Sequence, residues 1–183
     1  AIGAWKNDDT GSDAGHVRVY EYSNSSWTQL GSDIDGEAGG DYSGYSVSMN
    51  SVGDVVAIGA YDNDGTGGEA GQVRVYEYSS SWIQLGSDID GEAGGDRSGR
   101  SVSMDSDGNR VAIGADGNDG TGSDAGHVRV YEYSNSSSWN QLGADMDGET
   151  AGDYSGWSVS MDSDGDRVAI GAFYNDGTGS DAG

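Results

Sequence analysis

The fold is decided by the stretch Val56-Ala57-Ile58-Gly59-Ala60, because its core Ala-Ile-Gly-Ala recurs along the chain. The tetrapeptide begins at residues 1, 57, 112 and 169, so successive copies start 56, 55 and 57 residues apart. Self-similarity at a fixed period of this length is the signature of a repeat architecture. The 183-residue chain is therefore built from tandem units of about 56 residues.

Each unit carries four segments with the properties of short strands. From Ser46 onward one unit reads Ser-Val-Ser-Met, Val-Ala-Ile-Gly-Ala, Val-Arg-Val-Tyr-Glu-Tyr and Trp-x-Gln-Leu-Gly, separated by segments rich in Gly, Asp and Ser. In Val17-Arg18-Val19-Tyr20-Glu21-Tyr22 the valines alternate with longer side chains, which is the period of two expected of a strand. The sequence predicts an all-β fold of tandem four-stranded antiparallel units.

The repeat boundaries predict a partial repeat at 1–44, full repeats at 45–99 and 100–156, and a partial repeat at 157–183, together one repeat domain. One unit cannot fold alone, since ordering costs about 1.5 kcal/mol per residue and a buried aliphatic side chain returns roughly 1.5–3 kcal/mol. Units that pack face to face form β-propeller blades or a stacked array. The chain lacks an initiator Met, so we expect an excerpt of a longer protein.

The composition restricts the partners. With 32 Asp and Glu against 8 Lys and Arg, the formal charge is −24. Nucleic acid and anionic membrane surfaces both require a basic surface, and we expect neither as a partner. The longest apolar runs are too short to span a bilayer, which predicts no membrane insertion. Cations and neutral ligands are favoured.

Three segments of one unit resemble the FG-GAP repeat of integrin-like β-propellers. They are Ser43-Gly44-Tyr45-Ser46-Val47, Val56-Ala57-Ile58-Gly59-Ala60 and Gly71-Gln72-Val73-Arg74-Val75-Tyr76, and the resemblance extends over essentially the whole chain. It implies four-stranded blades, an extracellular or cell-surface location, and a role in adhesion or ligand binding. The calcium loop of that family is shortened here to Asp162-Ser163-Asp164-Gly165-Asp166, for which we favour a tight hairpin turn.

A different acidic loop is the better cation candidate. The loop Asn118-Asp119-Gly120-Thr121-Gly122-Ser123-Asp124 recurs in the other units with its acidic positions kept as Asp or Glu. Carboxylates and carbonyls are the hard oxygen ligands that calcium prefers, and glycines let the backbone curl around an ion. A solvated loop closed by Asx turns is the alternative. The predicted ligands are Asp64, Glu69, Asp119, Asp124, Asp176 and Asp181.

Two sequons, at Asn24 and Asn135, lie in Ser-rich hairpins whose length varies between units. Variable length indicates exposed loops, so both are predicted glycosylation sites on a secretory route.

Histidine gives no indication of catalysis. His16 and His127 occupy equivalent positions, and the middle unit has Gln72 there. Abundant Ser and Asp do not make a nucleophilic set without a suitably placed base. The sequence-based expectation is therefore that the chain is not an enzyme.

Aromatic residues recur at two places in the unit. Trp27, Trp82 and Trp139 are equivalent, and we favour a position between units over an exposed row for sugar stacking. At the second place Tyr42, Tyr45, Tyr154 and Trp157 alternate with Arg97 and Arg100 in the middle unit, which indicates a partly exposed, adaptable surface.

These patterns favour an extracellular structural or adhesive β-propeller-type protein, bridged by calcium or another cation. A carbohydrate-binding module and a self-assembling filament or ring subunit are the alternatives. The expected partners are other copies of the chain or the remaining repeats of a longer one, and an extracellular protein or glycan.

Overall fold

The structure is a computed structural model that describes residues 1–134, 138–177 and 179. These ranges contain seventeen strands and no helix. In chain order the strands are β1 (Ile2–Ala4), β2 (His16–Arg18), β3 (Tyr20–Ser23), β4 (Ser26–Gln29), β5 (Ile34–Asp35), β6 (Ser46–Met49), β7 (Val55–Ala60), β8 (Gln72–Tyr78), β9 (Trp82–Gln84), β10 (Ile89–Asp90), β11 (Ser101–Met104), β12 (Arg110–Ala115), β13 (His127–Ser134), β14 (Ser138–Gln141), β15 (Met146–Asp147), β16 (Ser158–Met161) and β17 (Val168–Gly171).

Two sheets contain the complete strand pattern. Sheet I consists of β6 to β10 and sheet II of β11 to β15. In sheet I, β6, β7 and β8 pair antiparallel in chain order, and both β9 and β10 pair with β8. The predicted fourth strand corresponds to β9, and β10, which was not predicted, is a further short strand that pairs with β8. The expectation of an all-β, antiparallel fold is confirmed.

The remaining strands flank the two sheets. The N-terminal strands form a three-stranded sheet, β1-β2-β5, and a hairpin, β3-β4, while β16 and β17 pair with each other near the C-terminus. The first strands of successive units, β6, β11 and β16, lie side by side. The Oγ atoms of Ser48 and Ser103 accept hydrogen bonds from the main-chain nitrogens of Met104 (3.0 Å) and Met161 (2.9 Å). The serines of Ser-Val-Ser-Met therefore join neighbouring sheets.

The apolar core lies between the sheets, and each sheet contributes to two clusters. All six residues of strand β7 are buried. Val56 and Ile58 pack against the N-terminal strands, whereas Val55 and Ala57 pack against sheet II. Because side chains alternate along a strand, a strand between two other layers buries both faces.

Gly59 lets sheet II approach closely. A Cβ at this position would overlap the carbonyl oxygen of Gly99, and the equivalent Gly114 stands in the same relation to Gly156. The Oγ atoms of Ser46 and Ser101 donate hydrogen bonds to these two carbonyls, at 2.7 and 2.8 Å. The glycine of Ala-Ile-Gly-Ala is thus a contact point between successive units.

We expected all three repeated tryptophans to lie between units, and two of them do. Trp82 packs beside the core cluster that contains Val56, and Trp139 occupies the equivalent place beside the next one. Trp27, in the N-terminal hairpin, is 66 % exposed.

Among the described residues no helix has the length and hydropathy needed to cross a bilayer.

Candidate functional site

The candidate site lies at the end of the sheets where β7 and its equivalents finish. Two parts of the repeat meet there. One is the residue just after that strand, and the other is the segment just before the first strand of the next unit (β6, β11 or β16). Parallel bridges between Gly71 and Ser98 and between Gly126 and Ser155 hold the two segments together. The residues contributed are Trp5, Tyr42, Tyr45, Tyr61, Arg97, Arg100, Asp116, Tyr154, Trp157, Phe173 and Tyr174.

Aromatic rings form two clusters on this face. In the first, Tyr45 and Tyr61 have ring centroids 4.5 Å apart, and the centroid of Trp5 lies 5.3 Å from that of Tyr42. In the second, Trp157 and Phe173 are 4.4 Å apart. Edge-to-face and tilted contacts at these separations are favourable for aromatic pairs. Each cluster is therefore a packed apolar surface at the edge of the core.

Arg100 joins the two clusters. Its guanidinium carbon lies 4.6 Å from the ring centroid of Tyr45, 5.2 Å from that of Tyr61 and 4.0 Å from that of Trp157. A guanidinium over an aromatic face is attracted by the ring quadrupole, more strongly where water is excluded. These contacts join the two clusters into one continuous surface. We call this surface the aromatic face, and it consists of the eleven residues from Trp5 to Tyr174 that are named at the start of this subsection.

Asp116 lies beneath Arg100 and is 1 % exposed. Neither of its carboxylate oxygens accepts a hydrogen bond from another described residue. The nearest opposite charge is Arg100, whose Nε lies 4.0 Å from Oδ2. Burial raises the pKa of this carboxyl, and Arg100 opposes the shift. The other units place Trp5, Tyr61 and Phe173 at this position, so the buried acid belongs to one unit only.

An open pocket of about 360 Å³ lies where these groups meet. Its lining combines rings, two arginines and three acids, which are Tyr42, Tyr61, Asp62, Glu69, Arg97, Arg100, Asp116 and Trp157. Burial raises the pKa values of both Tyr61 and Asp62. Five of the eight lining residues are charged and three are aromatic, so the pocket offers hydrogen-bonding groups together with ring surfaces.

The acidic loops chosen from the sequence show a different arrangement. The Oδ1 atoms of Asp64 and Asp119 accept hydrogen bonds from the main-chain nitrogens of Glu69 and Asp124, both at 2.9 Å. Each first carboxylate thereby closes its own loop. Glu69 lies 3.6 Å from Arg97 and reaches the pocket. The metal-binding role of these four residues stays a prediction.

Of the remaining site residues predicted from the sequence, two lie in the described part of the chain and two lie outside it. Asp176 is exposed, and its carbonyl accepts a hydrogen bond from the nitrogen of Gly179 at 3.3 Å. Asn24 is exposed in the β3-β4 turn, with φ of +51°. Asp181 and Asn135 lie outside the described residues. Metal binding and glycosylation at these positions stay predictions.

Two groups of histidine and acidic residues, which we did not choose from the sequence, could hold a metal ion by geometry. They are Asp9, His16, Asp33 and Asp35, and Glu92, His127 and Asp145. The members of each group come from strands and loops well separated in the chain. Only the equivalence of His16 and His127 in the repeat pointed to them.

An arginine already binds each group. Arg18 donates to Asp33 at 2.7 and 2.9 Å, and Arg129 donates to Asp145 at 2.7 and 2.9 Å. These hydrogen bonds hold the pKa values of both carboxyls at about 2. Burial, together with the charge of Arg129, lowers the pKa of His127. A metal ion would have to enter beside a guanidinium that carries the same sign of charge.

No family model matches the sequence, and no curated protein sequence matches it. Among solved structures the chain is similar to the periplasmic gluconolactonase PpgL of Pseudomonas aeruginosa, with a TM-score of 0.56 and 11 % sequence identity. The match covers 96 % of this chain and 47 % of that one, so the chain spans about half the length of the protein it matches. The likeness shows a propeller-type all-β fold. The resemblance to FG-GAP repeats stays a prediction.

The comparison corrects one expectation. The sequence-based prediction that the chain is not an enzyme is wrong, because its fold is shared with a gluconolactonase, which is an enzyme. The prediction rested on the lack of a histidine-centred nucleophilic set, and such a set is one catalytic arrangement among several. At 11 % identity the likeness concerns the fold and assigns no reaction to this chain.

Proposed function

We propose that this chain forms four-stranded blades of an extracellular or cell-envelope β-propeller that adheres by binding saccharides on its aromatic face. The observation that carries the proposal is the position of Arg100 between the ring clusters of Tyr45 and Trp157. The C–H faces of a sugar ring pack on aromatic rings, and the hydroxyls need polar groups at the rim. The aromatic face offers both within one pocket.

The overall charge favours a neutral ligand. With a formal charge of −24, the chain repels anionic ligands over distances of about a Debye length, roughly 8 Å at physiological salt. A neutral saccharide has no net charge and is not repelled. The similar propeller from Pseudomonas aeruginosa is periplasmic and, by its name, acts on gluconolactone, which is a sugar derivative. Both properties support a sugar-derived ligand and a location outside the cytoplasm.

Calcium is the cation that we propose for the acidic loops. In each described loop the first carboxylate uses one oxygen to close the turn, as Asp119 does with the nitrogen of Asp124. The loop carbonyls and remaining carboxylate oxygens are hard ligands of the kind calcium takes. The histidine groups suit it less, because imidazole is a softer ligand and Arg18 or Arg129 is already there.

A glycan array tests the saccharide proposal, with Trp157→Ala as the main variant. Trp157 is 40 % exposed and contacts Arg100, so its loss should weaken any saccharide binding by about fivefold to a hundredfold, which corresponds to roughly 1–3 kcal/mol for an aromatic contact. Tyr22→Ala is the matched control, since Tyr22 is 60 % exposed on the β3-β4 hairpin at the opposite end of the sheets. Gluconolactone should be included as a probe, with both binding and hydrolysis measured.

An array on which the wild type binds no saccharide would overturn the proposal. Binding that Trp157→Ala and Tyr22→Ala reduce equally would also count against it, because the aromatic face would then have no special role.

Self-association is a second candidate, favoured by a specific observation. Gly31 and Gly86 each receive the indole ring of the following unit, from Trp82 and Trp139. At the equivalent Gly143 a Cβ would meet no described atom within 4 Å, and Trp27 at the other end is exposed. A further repeat or a second copy of the chain would fill both places. Light scattering on the wild type and on Trp27→Ala distinguishes a monomer from an assembly.

A further inference from the structure

We infer that Asp116 and Arg100 together bind two neighbouring hydroxyl groups of a neutral sugar, and so select the ligand of the aromatic face. This inference rests on the proposed saccharide binding and adds the chemical group that the site recognises.

The first argument is the buried carboxylate of Asp116. Removing a charged carboxylate from water is costly unless hydrogen bonds replace the lost hydration, and buried acids in native proteins have such partners almost without exception. Asp116 is 1 % exposed, and neither of its carboxylate oxygens accepts a hydrogen bond from another described residue. Asp116 is among the residues that line the pocket, with both carboxylate oxygens buried behind Arg100. A ligand that donates two hydrogen bonds would supply what the protein does not.

The second argument is the guanidinium of Arg100. Its described contacts are the three aromatic rings and the 4.0 Å approach of Nε to Asp116, which is too long for a hydrogen bond. Among the described residues none accepts a hydrogen bond from this guanidinium, although it has five N–H donors. The carboxylate of Asp116, an acceptor, thus lies beside the guanidinium of Arg100, a donor, and neither forms a hydrogen bond with another described residue.

A hydroxyl group matches this pair, because it donates one hydrogen bond and accepts others. One hydroxyl can donate to an oxygen of Asp116 and accept from Arg100, while a neighbouring hydroxyl donates to the second oxygen. The guanidinium of Arg100 covers one face of Trp157, 4.0 Å from the ring centroid, and the exposed part of this ring, which is 40 % accessible, gives the sugar an apolar surface to pack on.

Charged ligands fit less well. A carboxylate or phosphate would face the acidic groups of Asp62, Glu69 and Asp116 across the pocket. An ammonium group would pair with Asp116 but leave the donors of Arg100 unused and lie beside a like charge. A neutral diol serves both groups without these costs.

The two residues also depart from the repeat together. Equivalent units have Tyr45 and Trp157 where Arg100 lies, and Tyr61 and Phe173 where Asp116 lies. The other units form the same strands with aromatic residues at both positions. The fold therefore does not require Arg100 and Asp116, whose charged groups lie 4.0 Å apart.

The test uses titrations of the full chain with methyl α-D-mannopyranoside, methyl β-D-galactopyranoside and methyl β-D-glucopyranoside. Each sugar is compared with its monodeoxy analogues. We expect loss of one hydroxyl of the recognised pair to weaken binding roughly tenfold to hundredfold, the effect of losing a hydrogen bond to a charged group. Asp116→Asn should weaken the parent sugar by a similar factor and no longer distinguish it from that deoxy analogue.

Asp107→Asn is the matched control, because it removes the same charge from an exposed position in the β11-β12 turn at the opposite end of sheet II. Thermal melting establishes that both variants are folded, and the deoxy series on the wild type remains informative if Asp116→Asn is not. Saccharide binding that tolerates every deoxy change and Asp116→Asn overturns this inference and leaves the proposed function standing. A wild type that binds no saccharide overturns both.

Discussion

The indole nitrogen of Trp82 donates a hydrogen bond to the main-chain carbonyl of Leu30, 52 positions earlier, at 2.8 Å. Trp139 makes the same contact with Leu85, at 2.7 Å and across 54 positions. Each bond crosses from one unit to the preceding one and satisfies a carbonyl beside the core. The tryptophan of each unit is therefore part of the interface between units, and its place in the sequence repeat reflects that role.

Replacing Trp82 by Phe keeps most of the ring but leaves the carbonyl of Leu30 without its donor. We expect Trp82→Phe to lower the free energy of unfolding by about 1–3 kcal/mol, the cost of an unsatisfied buried group together with lost contact area. Urea denaturation followed by circular dichroism measures it. Trp27→Phe is the control, since this exposed side chain should tolerate the change within about 0.5 kcal/mol. Equal losses for the two variants would show that the bond to Leu30 has no special weight.

Adding a methyl group at Gly59 should separate sheet I from sheet II. The new Cβ would overlap the carbonyl oxygen of Gly99, which is main chain and has little room to move. Gly59→Ala should therefore destabilise the protein by roughly 1–3 kcal/mol, in spite of the usual gain from removing glycine. At Gly68 a Cβ would meet only Oδ1 of Asp64, at 4.0 Å, so Gly68→Ala is the control. Thermal melting compares them, and an unchanged Tm for Gly59→Ala would contradict this account of the interface.

The ion pair of Asp145 and Arg129 predicts a pH dependence. The hydrogen bond from Arg129 lowers the pKa of Asp145 from 3.8 to about 2. A carboxyl whose pKa is lower in the folded state stabilises the fold above its unfolded pKa and loses that effect as pH falls toward the folded value. Asp145→Asn should thus destabilise the protein at pH 7 and have little effect near pH 2. Melting curves from pH 2 to 7 measure the difference, and a difference independent of pH would exclude the mechanism.

Calcium should raise the Tm beyond the effect of ionic strength alone. Net charge of −24 means that any salt relieves self-repulsion, so NaCl at matched ionic strength is the necessary reference. Calcium at about a hundredfold above its Kd would add about 2.7 kcal/mol to stability. The double variant with Asp119→Asn and Asp124→Asn should lose part of this increment. Identical melting in calcium and in matched NaCl would remove calcium from the proposed function.

Much of the fold follows from local patterns in the sequence. The alternation in Val73-Arg74-Val75 and the glycines between strands indicate where strands lie, because side-chain period and turn chemistry act over a few residues. The additional strand β10 was not predictable, since its two residues are too few to show a period of their own.

The candidate site was visible in the sequence only as variation at equivalent positions. The exchange of Tyr45 and Trp157 for Arg100 indicated an adaptable surface, but nothing local indicated that Asp116 lies beneath the arginine. The pocket around Asp116 is lined by residues as far apart in the chain as Tyr42 and Trp157. The acidic loops, by contrast, stood out by composition, and in them Asp64 and Asp119 use an oxygen to close their own turns.

The sequence by itself determined the period of about 56 residues and the all-β class, because the first is a direct self-similarity of the chain and the second follows from side-chain alternation over a few residues. Only the tertiary structure decided that Arg100 lies between Tyr45 and Trp157 and that Asp116 is buried without a hydrogen bond from another described residue. Those relationships depend on how far one sheet is displaced and twisted against the next. That displacement results from packing across the whole interface, and no single stretch of the chain encodes it.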